Sequence, residues 1–244
     1  MRDMANVTTQ GIVLRYADYR ENDRMLTLLT PFSGRADALA RGCRKPGSPL
    51  MSCAELFAYG EYVLYQGKGR AGVISFHLID SFYPLREDYD RLRYASYMLQ
   101  ILEAQAIPGD RADKLFQLLI RSLKRLCYLP LDPRAVTAAF LLMDAALSGY
   151  RPRLSHCVRC GRRLGEDEAR LFDAEEGGLC CAACASGGVP LMPLNSRELL
   201  WMKDVLQTGI EKTALPPADA PLPLLRKYLE GRLEVSPPSG KGLL

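Results

Sequence analysis

Two short cysteine pairs constrain this chain more than any other feature. Cys157-Val158-Arg159-Cys160 and Cys181-Ala182-Ala183-Cys184 each set two thiols three positions apart, with twenty residues between the pairs. Four thiolates at such spacing can surround one tetrahedral ion, and four protein ligands leave no coordination position open, so the site is expected to be structural and not catalytic. Gly161 follows the first pair and Gly177-Gly178 precede the second, as knuckle turns favour. Binding of that ion supplies on the order of 10 kcal/mol toward folding a module of roughly 40 residues. Cys180 is a rival to Cys181, although the spacing favours Cys181, and His156 is read as a bystander. The alternative is a set of free cysteines in an apolar hairpin. Five of the eight cysteines fall between Cys157 and Cys184, and reduced cytosolic thiols favour metal over a disulfide framework.

The rest of the composition is ordinary. At 244 residues, 48% hydrophobic and 25% charged, the chain allows one large domain or two to three small ones. The longest charge-free run, Gly177–Ser196, is broken by Pro190 and Pro193 and cannot supply the ~20 apolar residues of a membrane span. Met1-Arg2-Asp3-Met4 leads into no apolar run, so no secretory signal is expected and the expected location is cytoplasmic. The net charge is only +4, yet 24 Arg stand against 8 Lys. Arginine's planar fork grips phosphate in bidentate fashion, although an Arg-biased genome would give the same ratio. Position has to decide.

Hydropathy periods predict an α+β, multi-domain chain. Thr8–Tyr16, Arg24–Thr30, Gly34–Ala40, Leu56–Tyr65 and Val73–Asp80 read as strands, with Pro31-Phe32-Ser33-Gly34 a short hairpin connection. Five short strands in about 80 residues suit a small barrel of the OB type, with an SH3-like barrel nearly as good on pattern alone. After Pro84 the period becomes helical. Leu92, Ala95, Leu99, Leu102 and Ala106 mark one helix face, and Phe116, Leu119, Leu123 and Leu126 mark a second helix over about 113–129. A third begins at an Asp132 cap with Pro133 at its first position, buries Val136, Phe140, Met143 and Leu147, and stops at Gly149. Helix signals resume at Asn195, with Glu198 three residues on, and continue through Leu199, Met202 and Leu206. A last helix holds Leu225, Tyr228, Leu229 and Leu233. The expected domains are a barrel over 1–80, a helical domain over 81–150 resumed at 191–235, the cysteine module over 151–190 between them, and a flexible tail at 236–244.

Cations gather on the loops of the predicted barrel, where Arg35, Arg41, Arg44, Lys45, Lys68 and Arg70 outnumber Asp37, Glu55 and Glu61. Ten of the chain's twenty aromatic residues also lie before Pro84. Single-stranded nucleic acid is held by a cationic groove with rings on which bases stack. The plainer reading puts Phe57, Tyr59 and Phe76 in the core and leaves the cations to solvate the rim. Arg151, Arg153, Arg159, Arg162 and Arg163 bracket the first cysteine pair with no acid among them and are read as facing nucleic acid, a partner or solvent. No catalytic motif emerges: Gly67-Lys68-Gly69-Arg70 lacks the phosphate-loop frame, His77 reads as a core or rim residue, and Cys43 and Cys53 have no histidine nearby in sequence. The chain is read as a non-enzyme.

Thr9–Arg15, Asp18–Arg24, Leu26–Pro31, Gly34-Arg35 and Ala40–Lys45 together resemble the N-terminal signature of the bacterial RecO recombination-repair family. Tyr94–Tyr97, Gly149-Tyr150 and the cysteine module with Phe172 and Gly177-Gly178 extend the resemblance, in order, from about residue 8 to about 205. It implies an N-terminal OB-fold and a helical domain interrupted by a zinc module, and since Cys157, Cys160, Cys181 and Cys184 are all kept, one structural Zn2+ per chain is expected. It further implies binding to single- and double-stranded DNA and ATP-independent annealing of complementary strands. The implied partners are RecR and single-strand-binding protein, with loading of RecA recombinase as the outcome. Arg35, Arg41, Arg44 and Lys45 are then the expected DNA contacts, with Lys68 and Arg70 second. Arg121, Lys124 and Arg125 beside Phe116 are the expected site for an acidic, apolar partner tail. The alternatives are a zinc-ribbon scaffold that bridges proteins without binding DNA, and a zinc enzyme, which the four-cysteine spacing opposes.

Overall fold

The computed structural model describes residues 6–66, 71–165, 170–185, 190–210 and 221–238. The chain is divided into two compact units, 1–89 with 99–120 and 90–98 with 121–244. These are not the segments expected from sequence, because the first two helices each contribute to both.

In the first unit, β1 (Asn6–Tyr19), β2 (Asp23–Thr30), β3 (Gly34–Ala40), β4 (Tyr59–Gln66) and β5 (Ala71–Asp80) form a closed barrel in the order β1-β2-β3-β5-β4. This is an OB-like architecture. β1 is long enough to serve two neighbours: Asn6–Ile12 pairs with β4, Ile12–Tyr19 pairs with β2, and an irregularity falls between Val13 and Arg15. Val13, Leu26, Leu28, Ala38, Ala40, Tyr62 and Leu64 fill the interior, with Cys43, Cys53 and Ala54 of the β3–β4 connection closing it. Burying such side chains stabilises by roughly 1.5–3 kcal/mol each for the larger ones. β4 starts three residues later than the pattern predicts, because Phe57 at φ 68° leaves the extended region. Gly60 is required where β4 passes β5, since a Cβ there would lie 2.2 Å from the His77 carbonyl oxygen. His77 itself is exposed.

The β2–β3 turn is fastened to the connection between α1 (Tyr89–Gln105) and α2 (Asp113–Tyr128). Gly109 N–H donates to Ser33 O (3.0 Å) and Ala112 N–H to Pro31 O (2.9 Å). Gly34 sits at φ +56° with Ile107 O where a Cβ would be.

In the second unit, α3 (Pro133–Leu147) is buried on most sides. Ala135–Leu142 are buried, whereas Leu147, expected inward, is 38% exposed and Met143 is half-buried. A helix wrapped by neighbours on most sides has no single stripe to read. Its Asp132 cap accepts from Arg134 N–H. The strands β6 (Leu171–Asp173), β7 (Gly178–Cys180) and β8 (Met192–Pro193) form a small sheet in the order β7-β6-β8. α4 (Ser196–Thr208) opens with the expected Asn195–Glu198 capping box, and α5 (Leu222–Leu233) follows. Phe172 of β6 is fully buried with its ring edge-on to Tyr228 of α5, and Tyr228 Oη donates to Tyr150 O at 2.7 Å. Gly177 and Gly178 are needed beneath these contacts, since a Cβ would meet Tyr228 Oη at 2.7 Å and Arg153 O at 2.5 Å, respectively. Among the described residues no helix is long and apolar enough to cross a membrane.

Candidate functional site

The two cysteine pairs meet. The sulfurs of Cys157, Cys160, Cys181 and Cys184 all lie within 4.8 Å of one another. Cys160 Sγ and Cys181 Sγ are 3.8 Å apart, the edge length of a tetrahedron with metal–sulfur bonds of about 2.3 Å. Each pair folds back on itself: Gly161 N–H donates to Cys157 O, and Cys184 N–H to Cys181 O. Gly161 takes the positive φ (+74°) that the first reversal needs. Val158 N–H reaches Leu179 O on β7 and so brings the first pair against the strand that leads into the second.

The electrostatics favour thiolates at Cys157 and Cys181 and oppose one at Cys184. Burial pushes the Cys157 thiol up, but backbone N–H groups of Cys160, Cys181 and Arg159 outweigh it and bring it down to about 6. The N–H of Cys184 draws Cys181 down as well, while the sulfurs of Cys181 and Cys160 push Cys184 up to about 12. Four sulfurs this close cannot all hold negative charge without a cation among them, so donor set, spacing and charge together fit a metal ion. Cys180 is outside the set: it is fully buried and its thiol faces Cys181 O at 3.5 Å.

Arg159, read from sequence as facing nucleic acid, a partner or solvent, is an internal strut. Its guanidinium donates from Nε and Nη2 to Asp173 Oδ2 (3.1 and 2.8 Å) and from Nη1 to Cys184 O (2.6 Å). Asp173, whose side chain is 1% exposed, also accepts from the N–H groups of Glu175 and Glu176. One arginine thereby ties the first pair, the β6–β7 turn and the second pair together.

The barrel carries a second cluster. Gly42 N–H donates to Asp23 Oδ1 at 2.7 Å and Arg44 N–H to Asn22 O at 3.1 Å, which locks the loop after β3 onto the β1–β2 turn. Cys43 is buried beneath it. Arg24, the neighbour of Asp23, faces inward and holds Asp18, Glu55 and Ala54 O while stacking on Tyr16 at 4.1 Å. Its role is bracing. Arg41, Arg44 and Lys45 are left exposed on the braced loop. Arg44 pairs with Asp18 at 3.3 Å, whereas Arg41 and Lys45 have no carboxylate partner among the described residues. Arg35 stands apart on β3, half-buried and paired with Asp37 at 3.1 Å. Lys68 and Arg70 lie outside the described residues.

The sequence reading missed Arg20. It sits in the β1–β2 turn at φ 57°, exposed, its guanidinium 5.4 Å from the Tyr19 ring centre, and the Asn22–Arg44 hydrogen bond places its turn beside the cationic loop. Only a left-handed turn residue in Tyr19–Asn22 would have signalled it, and arginine gives no such signal. On α2, Arg121 and Lys124 are exposed and Arg125 is half-buried. Phe116 is not a surface ring beside them: it is 4% exposed and packs edge-on against Tyr59 at 6.0 Å. An apolar tail could not reach it.

An OB-like barrel with a braced cationic loop, and a helical unit with a four-thiol centre, define a class of multi-domain α+β protein. Residues 4–82 match the family described as Recombination protein O N terminal, and residues 86–241 match Recombination protein O C terminal. DNA repair protein RecO of Alkaliphilus metalliredigens is 35% identical over 178 residues, covering 73% of this chain and 72% of that one. The protein of the same name from Desulfitobacterium hafniense is 35% identical over 205 residues (83% and 74%), and that from Anaeromyxobacter dehalogenans is 34% identical over 220 residues (89% and 86%). The chain belongs to the RecO family of DNA repair proteins.

Proposed function

We propose that this chain is an ATP-independent DNA-annealing mediator of recombinational repair. The observation that carries the reading is the loop Arg41–Lys45, fixed to the barrel by Asp23 and Asn22 and presenting Arg41 and Lys45 free of carboxylate partners among the described residues. Cations held on a rigid frame offset the phosphate repulsion that opposes bringing two strands together, and released counterions make the effect salt-sensitive. Single- and double-stranded DNA are the ligands. RecR and single-strand-binding protein are the partners, RecA loading onto covered DNA is the outcome, and the cytoplasmic nucleoid is the place of action. Arg121, Lys124 and Arg125 attract the acidic tail of single-strand-binding protein by charge, without Phe116. The metal of the four-thiol centre is a single structural zinc, held by Cys157, Cys160, Cys181 and Cys184, which supplies cross-linking and no reaction step.

The test is annealing of two complementary oligonucleotides without ATP, at low and moderate salt, on zinc-assayed protein. The reading expects annealing that weakens with salt, and lower affinity with a shallower salt slope in Arg41→Ala/Arg44→Ala. Folded, zinc-loaded protein with no DNA affinity at either salt would return the chain to a protein-bridging scaffold.

A further inference from the structure

One face of the barrel carries a groove of about 500 Å³ lined by Arg15, Ala17, Tyr19, Met25, Thr27, Arg35, Asp37 and Ala71. Its lining includes three small side chains, Ala17, Thr27 and Ala71. Its charges are largely cancelled in place, since Arg15 pairs with Glu103 at 2.6 Å and Arg35 with Asp37 at 3.1 Å. A floor this small and this near neutral is a poor seat for a phosphate chain and a fair one for an uncharged, flat group.

Tyr19 connects this groove to the cationic loop. It lines the groove, it is the last residue of β1, and its ring carries the Arg20 guanidinium at 5.4 Å. Arg20 keeps a left-handed backbone that an L-residue adopts at a cost, although glycine would hold the same turn without strain. The turn is hydrogen-bonded through Asn22 to the loop bearing Arg41, Arg44 and Lys45. Tyr19 therefore belongs to a base-sized groove and, through Arg20 and the Asn22–Arg44 hydrogen bond, adjoins the phosphate-seeking loop.

We propose that Tyr19 and Arg20 form the step at which one unpaired DNA strand leaves the cationic loop and turns a base into the groove, the Tyr19 ring stacking on the base and Arg20 holding the adjoining phosphate. This rests on the DNA-binding reading above and adds strand selectivity to it. The cationic loop meets phosphates of paired and unpaired DNA alike, whereas a base held in a duplex cannot enter a groove 500 Å³ in volume. Tyr19 and Arg20 thus distinguish single strands from duplex.

The experiment measures affinities for a fluorescein-labelled 30-nucleotide oligothymidine and for a 30-base-pair duplex at fixed salt. Tyr19→Leu, which keeps apolar bulk but removes the ring, is expected to weaken single-strand binding by roughly ten-fold with duplex binding unchanged, and Tyr19→Phe to bind as the parent does. Arg20→Gly removes the charge and relieves the turn, so it is expected to melt no lower than the parent while also losing single-strand affinity, which covers the case of a misfolded Tyr19→Leu. Equal losses on both DNAs, or no loss on the single strand, overturn the proposal. If Arg41→Ala/Arg44→Ala weakens binding while Tyr19→Leu and Arg20→Gly do not, only the strand-selecting step fails; if none of the three matters, the DNA-binding reading fails with it.

Discussion

The barrel and the cysteine module reach their folds by opposite routes. The barrel closes five strands of seven to fourteen residues over an interior of Val13, Leu26, Leu28, Tyr62 and Leu64, and its hydrogen-bond ladder runs through every strand. The module's strands are two or three residues long, and one of its small core clusters is Cys157, Cys180 and Cys181. Strands that short cannot bury enough apolar surface to offset their chain entropy. The difference teaches where charge is affordable. The barrel, held by its core, presents cations outward on a braced loop, while the module spends Arg159 inside, on its own cohesion.

Metal removal should separate the two regions most sharply. With on the order of 10 kcal/mol of binding energy withdrawn, a strong chelator should melt the module. The emission of Trp201, the chain's single tryptophan, reports on the second unit, and amide hydrogen exchange of the β1–β5 ladder follows the barrel. Coincident loss of both signals would erase the contrast. Arg159→Ala comes next. It leaves the Asp173 carboxylate buried without its cation and should cost about 3 kcal/mol, read as a fall in the midpoint of Trp201 unfolding in urea. A solvated surface arginine would cost almost nothing there. On the barrel side, Asp23→Ala removes the acceptor for Gly42 N–H and should destabilise by about 1–2 kcal/mol. It should also weaken DNA binding though no cation is lost, measurable by anisotropy titration beside a stability curve. The smallest effect concerns Asp132. The Arg134 guanidinium, outweighing burial and helped by the Arg134 N–H, holds its carboxyl below the ordinary range. A depressed folded value gives stability that is present above about pH 4 and lost as pH falls through that value. Asp132→Asn keeps the cap and should flatten that acid-side loss, by under about 1 kcal/mol, in melts between pH 2.5 and 5.

What the sequence made legible was whatever its chemistry writes locally. The knuckle spacing, the Asp132 cap, the Asn195–Glu198 box and the five strands all follow from neighbours within a few residues, and the structure contains each. The sequence left hidden whatever depends on a distant partner. Arg159 looks like any surface arginine until the β6–β7 turn brings Asp173 beneath it, and Phe116 looks available on a helix until Tyr59 covers it. Arg20 escaped notice because its significance lies in a backbone angle. Asp23 and Arg24, read from sequence only as part of a signature, supply a brace and a half-buried strut.

The two-part pairing of β1 also sets an order of events during synthesis. Its second half finds β2 at once, but Asn6–Gly11 must wait for Tyr59–Tyr65 to be made. At about 5–20 residues per second that interval lasts a few seconds, during which the nascent chain offers an unpaired edge to its neighbours on the polysome. The waiting half reads Asn-Val-Thr-Thr-Gln-Gly, while Ile12 and Val13 sit where pairing comes early. Polar residues guard the edge that is slow to close, a protection against aggregation that the finished barrel no longer displays.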